Sequence, residues 1–122
     1  MFHDATTVLT VRDIKASLAY YRDCLGFEIA FEYGDPVFYA ALCRDKATIH
    51  LISAERTQRL PGHGAVALFV DDVDALYADV RKRGAKAPEP PADRAYGLRD
   101  FNAFDLDGNQ LIFGAEIDVK ST

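Results

Sequence analysis

Two stretches of this chain echo one another. Val11-Arg12-Asp13-Ile14 returns as Val70-Asp71-Asp72-Val73. Each second aspartate stands where a helix N-cap is expected, its carboxylate able to accept from the free N–H groups of a first turn. After Asp13, the residues Ile14, Leu18, Tyr21 and Leu25 recur at helical spacing up to Gly26. After Asp72, Val73, Leu76, Tyr77 and Val80 do the same up to Gly84. An aspartate-bearing turn then leads into the final strand of each half, over residues 45–49 and 107–111. Repetition in register at three places predicts a duplicated module, so the chain is expected to fold as two similar halves.

The first half reads β-α-β-β-β. Residues 8–11, 27–31, 37–43 and 47–52 are rich in β-branched and aromatic residues and are bounded by turn residues such as Gly34-Asp35-Pro36. The polar segment AERTQRLPGH at 54–63 is a linker. The second half repeats the order, with a strand at 65–70, the second helix, and a Pro-rich loop at 88–91 carrying at most a residual edge strand. Its last two strands lie in YGLRDFNAFDLDGNQLIFG, residues 96–114. There Asp107-Gly108 is a strong hairpin signal, because glycine accepts the positive φ of a tight turn. Asp105 and Asp107 are expected to shape this turn. The expected organisation is a single domain, with module one at about 5–54, a linker at about 55–63 and module two at about 64–118.

Composition narrows the function classes. With 122 residues and 49% apolar content, one real core is affordable; the net charge of −5 and the lack of a basic patch exclude a nucleic-acid binder. No run is long and apolar enough for a transmembrane helix, and MFHDATT has neither the basic nor the apolar region of a secretory leader. A cytoplasmic location is therefore expected. Cys24 and Cys43 fit no metal or redox spacing and are expected to be reduced thiols.

Two βαβββ modules in tandem resemble the vicinal oxygen chelate superfamily, which includes glyoxalase I, extradiol dioxygenases, fosfomycin resistance enzymes and bleomycin resistance proteins. VLTVRDIKASLAYYRDCLGF is similar to that superfamily's first strand and helix, and FDLDGNQLIF to its terminal DPDGN-type hairpin. The fullest resemblance is to the bleomycin resistance proteins, through VLTVRD, LGF, ISAE, DDVDALYADV and YGLRDFNAFDLDGNQLIFGAE. It implies an α+β fold, with curved sheets around a cavity. It also implies a homodimer, commonly with exchanged N-terminal strands, holding ligand in clefts between chains. Three departures stand out. Thr7 lies near the usual hinge proline, Tyr96-Gly97 replaces a Trp-Gly of the drug-binding loop, and Leu106 replaces the proline of the terminal turn.

The resemblance also locates the superfamily's metal-ligand positions, at about Thr6, His50, Ala65 and Ile112. Only His50 carries a usual donor, whereas a catalytic metal wants about three protein ligands. His63, two residues before Ala65 with Gly64 between, is a poor substitute. A metal-free protein without a cofactor is expected. Ser17, Cys24 and Cys43 have no histidine and carboxylate placed to activate them, so no catalytic residue is assigned.

Strand alternation then selects the cavity wall. Asp100, Asn102 and Phe104 share one face and Phe101 and Ala103 the other, with superfamily geometry turning the first set inward. Ile112 and Gly114 share the inward parity of the last strand. In the first half Thr48, His50 and Ile52 share a face. Either Phe38 or Tyr39 joins them, because a turn of two or of three residues at 44–46 exchanges the faces. Tyr96 stands at the mouth, and Asp100 is either half of a surface ion pair with Arg99 or a carboxylate awaiting a cation. The expected ligand-binding set is Phe38, Tyr39, His50, Tyr96, Asp100, Asn102, Phe104 and Ile112. The expected function is sequestration of a cationic, aromatic-containing antibiotic of the bleomycin glycopeptide type in a dimer cleft, for which affinity alone suffices. The alternatives are a metal-dependent enzyme of the glyoxalase or dioxygenase type, and a binder of another small ligand.

Overall fold

Each half of the chain opens with a strand that runs into a capped helix. In the computed structural model, which describes residues 1–117, strand β1 (Thr7–Val11) leads to Asp13. Its carboxylate accepts from the Ala16 amide at 3.1 Å and starts helix α1 (Ile14–Asp23). In the second half β5 (Ala65–Phe69) leads to Asp72, which accepts from the Ala75 amide at 3.0 Å and starts α2 (Val73–Lys82). Both caps use the shortest acidic side chain because it reaches a free first-turn N–H without leaving extended backbone. Arg81 and Lys82 stand in the last turn of α2, where the helix dipole favours cations.

Strands β2 (Glu28–Gly34), β3 (Val37–Arg44) and β4 (Ala47–Ser53) complete the first module, and a short 3-10 turn at Ala54–Arg56 begins the linker. Strands β6 (Ala92–Asp93), β7 (Leu98–Phe104) and β8 (Gln110–Glu116) complete the second. The sheets have the orders β1-β4-β3-β2 and β5-β8-β7-β6, with the first pair of each parallel. The architecture is α+β, two βαβββ modules in tandem. Their registers agree: Val8 lies opposite His50 in one parallel pair and Ala67 opposite Ile112 in the other. The expected end of module two, at residue 118, lies outside the described residues.

Local details differ from the sequence expectation. Strand β2 continues to Gly34, three residues beyond its expected end, and the residual edge strand is the two-residue β6 just past the Pro-rich loop. The β3–β4 turn contains two residues, Asp45 and Lys46, with Arg44 paired to Ala47 and Asp45 at a φ of 52°.

One apolar core joins the modules. The outer faces of both sheets carry the helices, through Leu9, Val11, Leu42, Ile49 and Leu51 against α1, and Phe101, Leu111 and Phe113 against α2. Polar contacts across the boundary come from the β7–β8 turn. The Asp105 carboxylate accepts from the backbone N–H of Asp107 (3.0 Å) and Asn109 (2.9 Å), from Asn109 Nδ2 (2.9 Å) and from the Tyr21 hydroxyl (2.8 Å). Asn109 also donates to the Thr10 carbonyl and accepts from the Gly64 amide, each at 2.9 Å. Arg12 reaches Asp107 at 2.9 Å. Buried polar groups persist only when paired, and this turn is paired partly within itself and partly by Tyr21, Thr10 and Arg12 of the other module.

Candidate functional site

The face of each sheet opposite its helix is uncovered in a single chain. On the first sheet the two-residue turn fixes the choice between neighbours. Tyr39 lies opposite Ile52 and Ala41 opposite His50, so Tyr39, His50 and Ile52 share the open face. Phe31, opposite Ala41, joins them. The Tyr39 hydroxyl lies 2.8 Å from His50 Nδ1. The Phe31 ring stacks beside Tyr39, with centroids 6.5 Å apart and planes 17° apart, and meets His50 edge-on at 6.0 Å. The hydrogen bond engages Nδ1 and leaves Nε2 as the imidazole's remaining polar atom. Phe31 did not figure among the expected site residues. A bulge between Ile29 and Phe31 breaks the alternation along β2, leaving Ile29 opposite Leu42 on the core side, so only the pairing to Ala41 assigns Phe31 its face.

Phe38 alternates away from this group. It meets Tyr33 edge-on at 5.4 Å and carries the Arg56 guanidinium 3.9 Å above its ring. The structure thus brings Tyr39 and His50 together and leaves Phe38 apart.

On the second sheet, β7 presents Asp100, Asn102 and Phe104 opposite Gly114, Ile112 and Gln110. Ala65, Ala67 and Phe69 of β5 lie opposite Gln110, Ile112 and Gly114, which completes the face. Asn102 accepts from Gln110 Nε2 at 3.0 Å. Phe104 is half-buried, and its carbonyl accepts from the Tyr20 hydroxyl at 2.6 Å. Ile112 is half-buried at the centre, and Phe69 is 72% exposed.

Asp100 corrects the sequence expectation. It is buried, and it pairs neither with Arg99 nor with solvent. Arg94 Nε donates to Oδ1 and the Tyr96 hydroxyl to Oδ2, both at 2.7 Å. Neighbours on a strand point to opposite faces, so Arg99 turns outward and pairs with Asp74 at 2.8 Å and Asp93 at 3.1 Å. Burial pushes the Asp100 carboxyl up, but the hydrogen bonds from Arg94 and Tyr96 outweigh it and hold the group below its usual value. The same bond to Asp100 raises the Tyr96 hydroxyl. Asp100 is therefore already compensated and awaits no cation. Its effect is to tether Tyr96, whose ring is 68% exposed beside Gly97 with a φ of 92°.

Of the superfamily's ligand positions, only the one at His50 carries a usual metal-donor side chain. Val8, Ala67 and Ile112, which lie opposite or equivalent to His50 in register, have no donor side chain. Thr6 and Ala65 offer one hydroxyl between them. Among the described residues, no group of three His, Cys, Asp or Glu side chains is placed to hold an ion. Cys24 and Cys43 are free and half-buried, and burial raises the Cys24 thiol. No helix among the described residues is long and apolar enough to cross a membrane.

Paired curved sheets with one helix each, an invading terminal turn and two open inner faces define a class. The family model described as the Glyoxalase/Bleomycin resistance protein/Dioxygenase superfamily matches residues 5–113, and the chain belongs to that superfamily. Among individual proteins it is similar to YraH, an uncharacterized protein of Bacillus subtilis (strain 168), with 30% identity over 98 residues, 70% of this chain and 76% of that one. Among solved structures it is similar to the bleomycin-binding protein of bleomycin-producing Streptomyces verticillus in complex with copper(II)-bleomycin. That match has a TM-score of 0.81 at 25% identity, covering 96% of this chain and 98% of the other. TnmS3, an antibiotic-binding protein from Streptomyces sp. CB03234, shares the fold with a TM-score of 0.82 at 22% identity, over 96% of this chain and 98% of that one.

Proposed function

We propose that this protein binds a cationic, aromatic-containing antibiotic of the bleomycin type and sequesters it in clefts between two copies of the chain. The observation that carries this reading is the aromatic group Phe31, Tyr39 and His50 on an open sheet face, hydrogen-bonded and stacked within itself. Such a platform takes a flat ring by stacking at little entropic cost, since its side chains are already positioned. Tyr96, tethered by Asp100, supplies a further exposed ring. Bleomycin, which the Streptomyces verticillus protein binds, is the first candidate ligand.

Two features support a homodimer. Both inner sheet faces are uncovered in one chain, and Phe69 stands exposed on the second. A second copy that turned its own faces inward would enclose both and form two equivalent clefts. Attraction for a cation then rests on the net charge of −5 rather than on Asp100. Sequestration also suits a site whose only imidazole donor is His50, since a metal-assisted reaction needs a fuller ligand set. Calorimetric titration with metal-free bleomycin tests the reading. Saturable heat with one ligand per cleft is expected, and no heat up to high micromolar ligand removes it.

A further inference from the structure

A cleft of about 650 Å³ lies between the modules, mainly on the helix-bearing side of the second sheet, and reaches Phe69 at the sheet edge. Leu68 and Phe113, which lie opposite one another on the helix-bearing side of the second sheet, form its floor with Phe27, Val70 and Leu76. The Arg44–Ala47 turn closes one side and the start of α2 the other.

The duplicated architecture explains the cleft. Matching the N-caps Asp13 and Asp72 makes Thr10, Arg12 and Tyr20 the counterparts of Phe69, Asp71 and Asp79. In the first module those three residues bind the β7–β8 turn, through Asn109, Asp107 and the Phe104 carbonyl. The seat is sealed: Leu9, Val11 and Ser17 are 1%, 0% and 1% exposed. In the second module the same seat faces the β3–β4 turn, which has two residues and no counterpart of the Asp105–Asn109 hydrogen bonds. Arg44, the residue best placed to enter, turns aside to the Leu25 carbonyl at 2.8 Å. Leu68, Val70 and Leu76, the counterparts of Leu9, Val11 and Ser17, are therefore only partly buried.

We propose that this unfilled seat is a second binding site, for a small amphipathic cation. Its volume falls within the roughly 300–1,000 Å³ of ordinary ligand sites. The apolar body would lie on Leu68, Val70 and Leu76. At the rim Asp72 is committed to its helix cap and Asp79 to Arg83. Arg44 and Asp72 meet only backbone groups and keep their charge, so among the described residues Asp45, Asp71 and Asp72 stand without a basic side-chain partner against Arg44 and Lys46, and the excess of one carboxylate favours a cation.

Three probes with one body and different charge test this: benzylamine, benzyl alcohol and benzoate, titrated while backbone amide NMR signals are followed. Benzylamine is expected to shift Leu68, Val70 and Leu76 saturably at millimolar concentration, at least threefold more tightly than benzyl alcohol, with benzoate weakest. Leu76→Trp, which fills the cleft, is expected to abolish the shifts. Asp71→Asn, a surface change, is expected to remove the preference for benzylamine while sparing the fold. Equal response to all three probes, or none, overturns the proposal. So do cleft signals that move with protein concentration instead of probe, which would make a second copy the occupant.

Discussion

The Tyr21 hydroxyl donates to Asp105 across the boundary between modules, with Tyr21 0% and Asp105 1% exposed. Burial and the facing carboxylate push the Tyr21 hydroxyl far above its ordinary value, which keeps it a donor throughout the accessible pH range. Removing one partner of a buried pair costs more than the pair contributes, because the survivor loses water and gains nothing. Tyr21→Phe is expected to destabilise the protein by about 1–3 kcal/mol. Asp105→Ala strands three further donors and is expected to cost more. Urea denaturation monitored by circular dichroism measures both, with an unchanged m-value marking a change of stability alone.

The linker approaches the same turn so closely that a side chain has no room. Gly62 has a φ of +82°, and a Cβ there would collide with the Asp107 carbonyl oxygen. The obstacle is backbone, so no rotamer relieves it. Gly62→Ala is expected to cost more than about 1 kcal/mol. Gly84→Ala, with a φ of +94° but nothing within 4 Å of its Cβ, separates the backbone cost from the steric one. Thermal melting of the two variants side by side should place Gly62→Ala lower.

The duplicated plan was legible because local chemistry encodes it. Asp13 and Asp72 announce helix starts, Asp107-Gly108 announces a turn, and parity along β7 groups Asp100, Asn102 and Phe104. What needed the third dimension is what the chain brings together from afar. Arg94 reaches Asp100 through a loop whose course no periodicity describes. The face of Tyr39 hung on a single residue in the β3–β4 turn, and Phe31 acquired its place only through pairing with Ala41. The cleft beside α2 depends on a turn that falls short of its counterpart, a property of neither turn alone.

Acid should release the Tyr96 loop late. Asp100 has a lower pKa folded than unfolded, so the unfolded chain binds more protons around its ordinary value of about 3.9. Its contribution is present above that value and is lost as pH falls through the depressed folded one. The Tyr96 hydroxyl is raised, so its contribution is present below about 10 and is lost as pH rises through the folded value. The Gly97 amide resonance is therefore expected to hold constant from pH 5 to 9 and to move only below about pH 4 or above about pH 10. In Asp100→Asn the acid transition should vanish.

The aromatic platform gives the binding reading a graded test. Phe31 is 48% exposed and stacks beside Tyr39 without supporting the core, so its loss should leave the fold intact. An aromatic pair is worth about 0.5–1.5 kcal/mol beyond its area, so Phe31→Ala is expected to weaken bleomycin binding by about two- to tenfold. Phe38→Ala, on the opposite side of β3, should change affinity by less than about twofold. Equal losses in the two variants would place the ligand elsewhere.

Assembly is testable without a ligand. Two copies joined through their inner faces would bury Phe69, which lies opposite Gly114 at the edge of the second sheet. A charge placed there would be desolvated without a partner, at a cost of several kcal/mol per interface. A two-fold axis doubles the effect, because both copies carry the change. Light scattering on the native chain is expected to give twice the 13.5 kDa chain mass, and Phe69→Asp the single mass with unchanged circular dichroism. Leu106→Asp, in the exposed β7–β8 turn beyond the inner face, should remain dimeric. If Phe69→Asp stays dimeric while Leu106→Asp dissociates, the copies meet through the turns and the inner faces remain open to solvent.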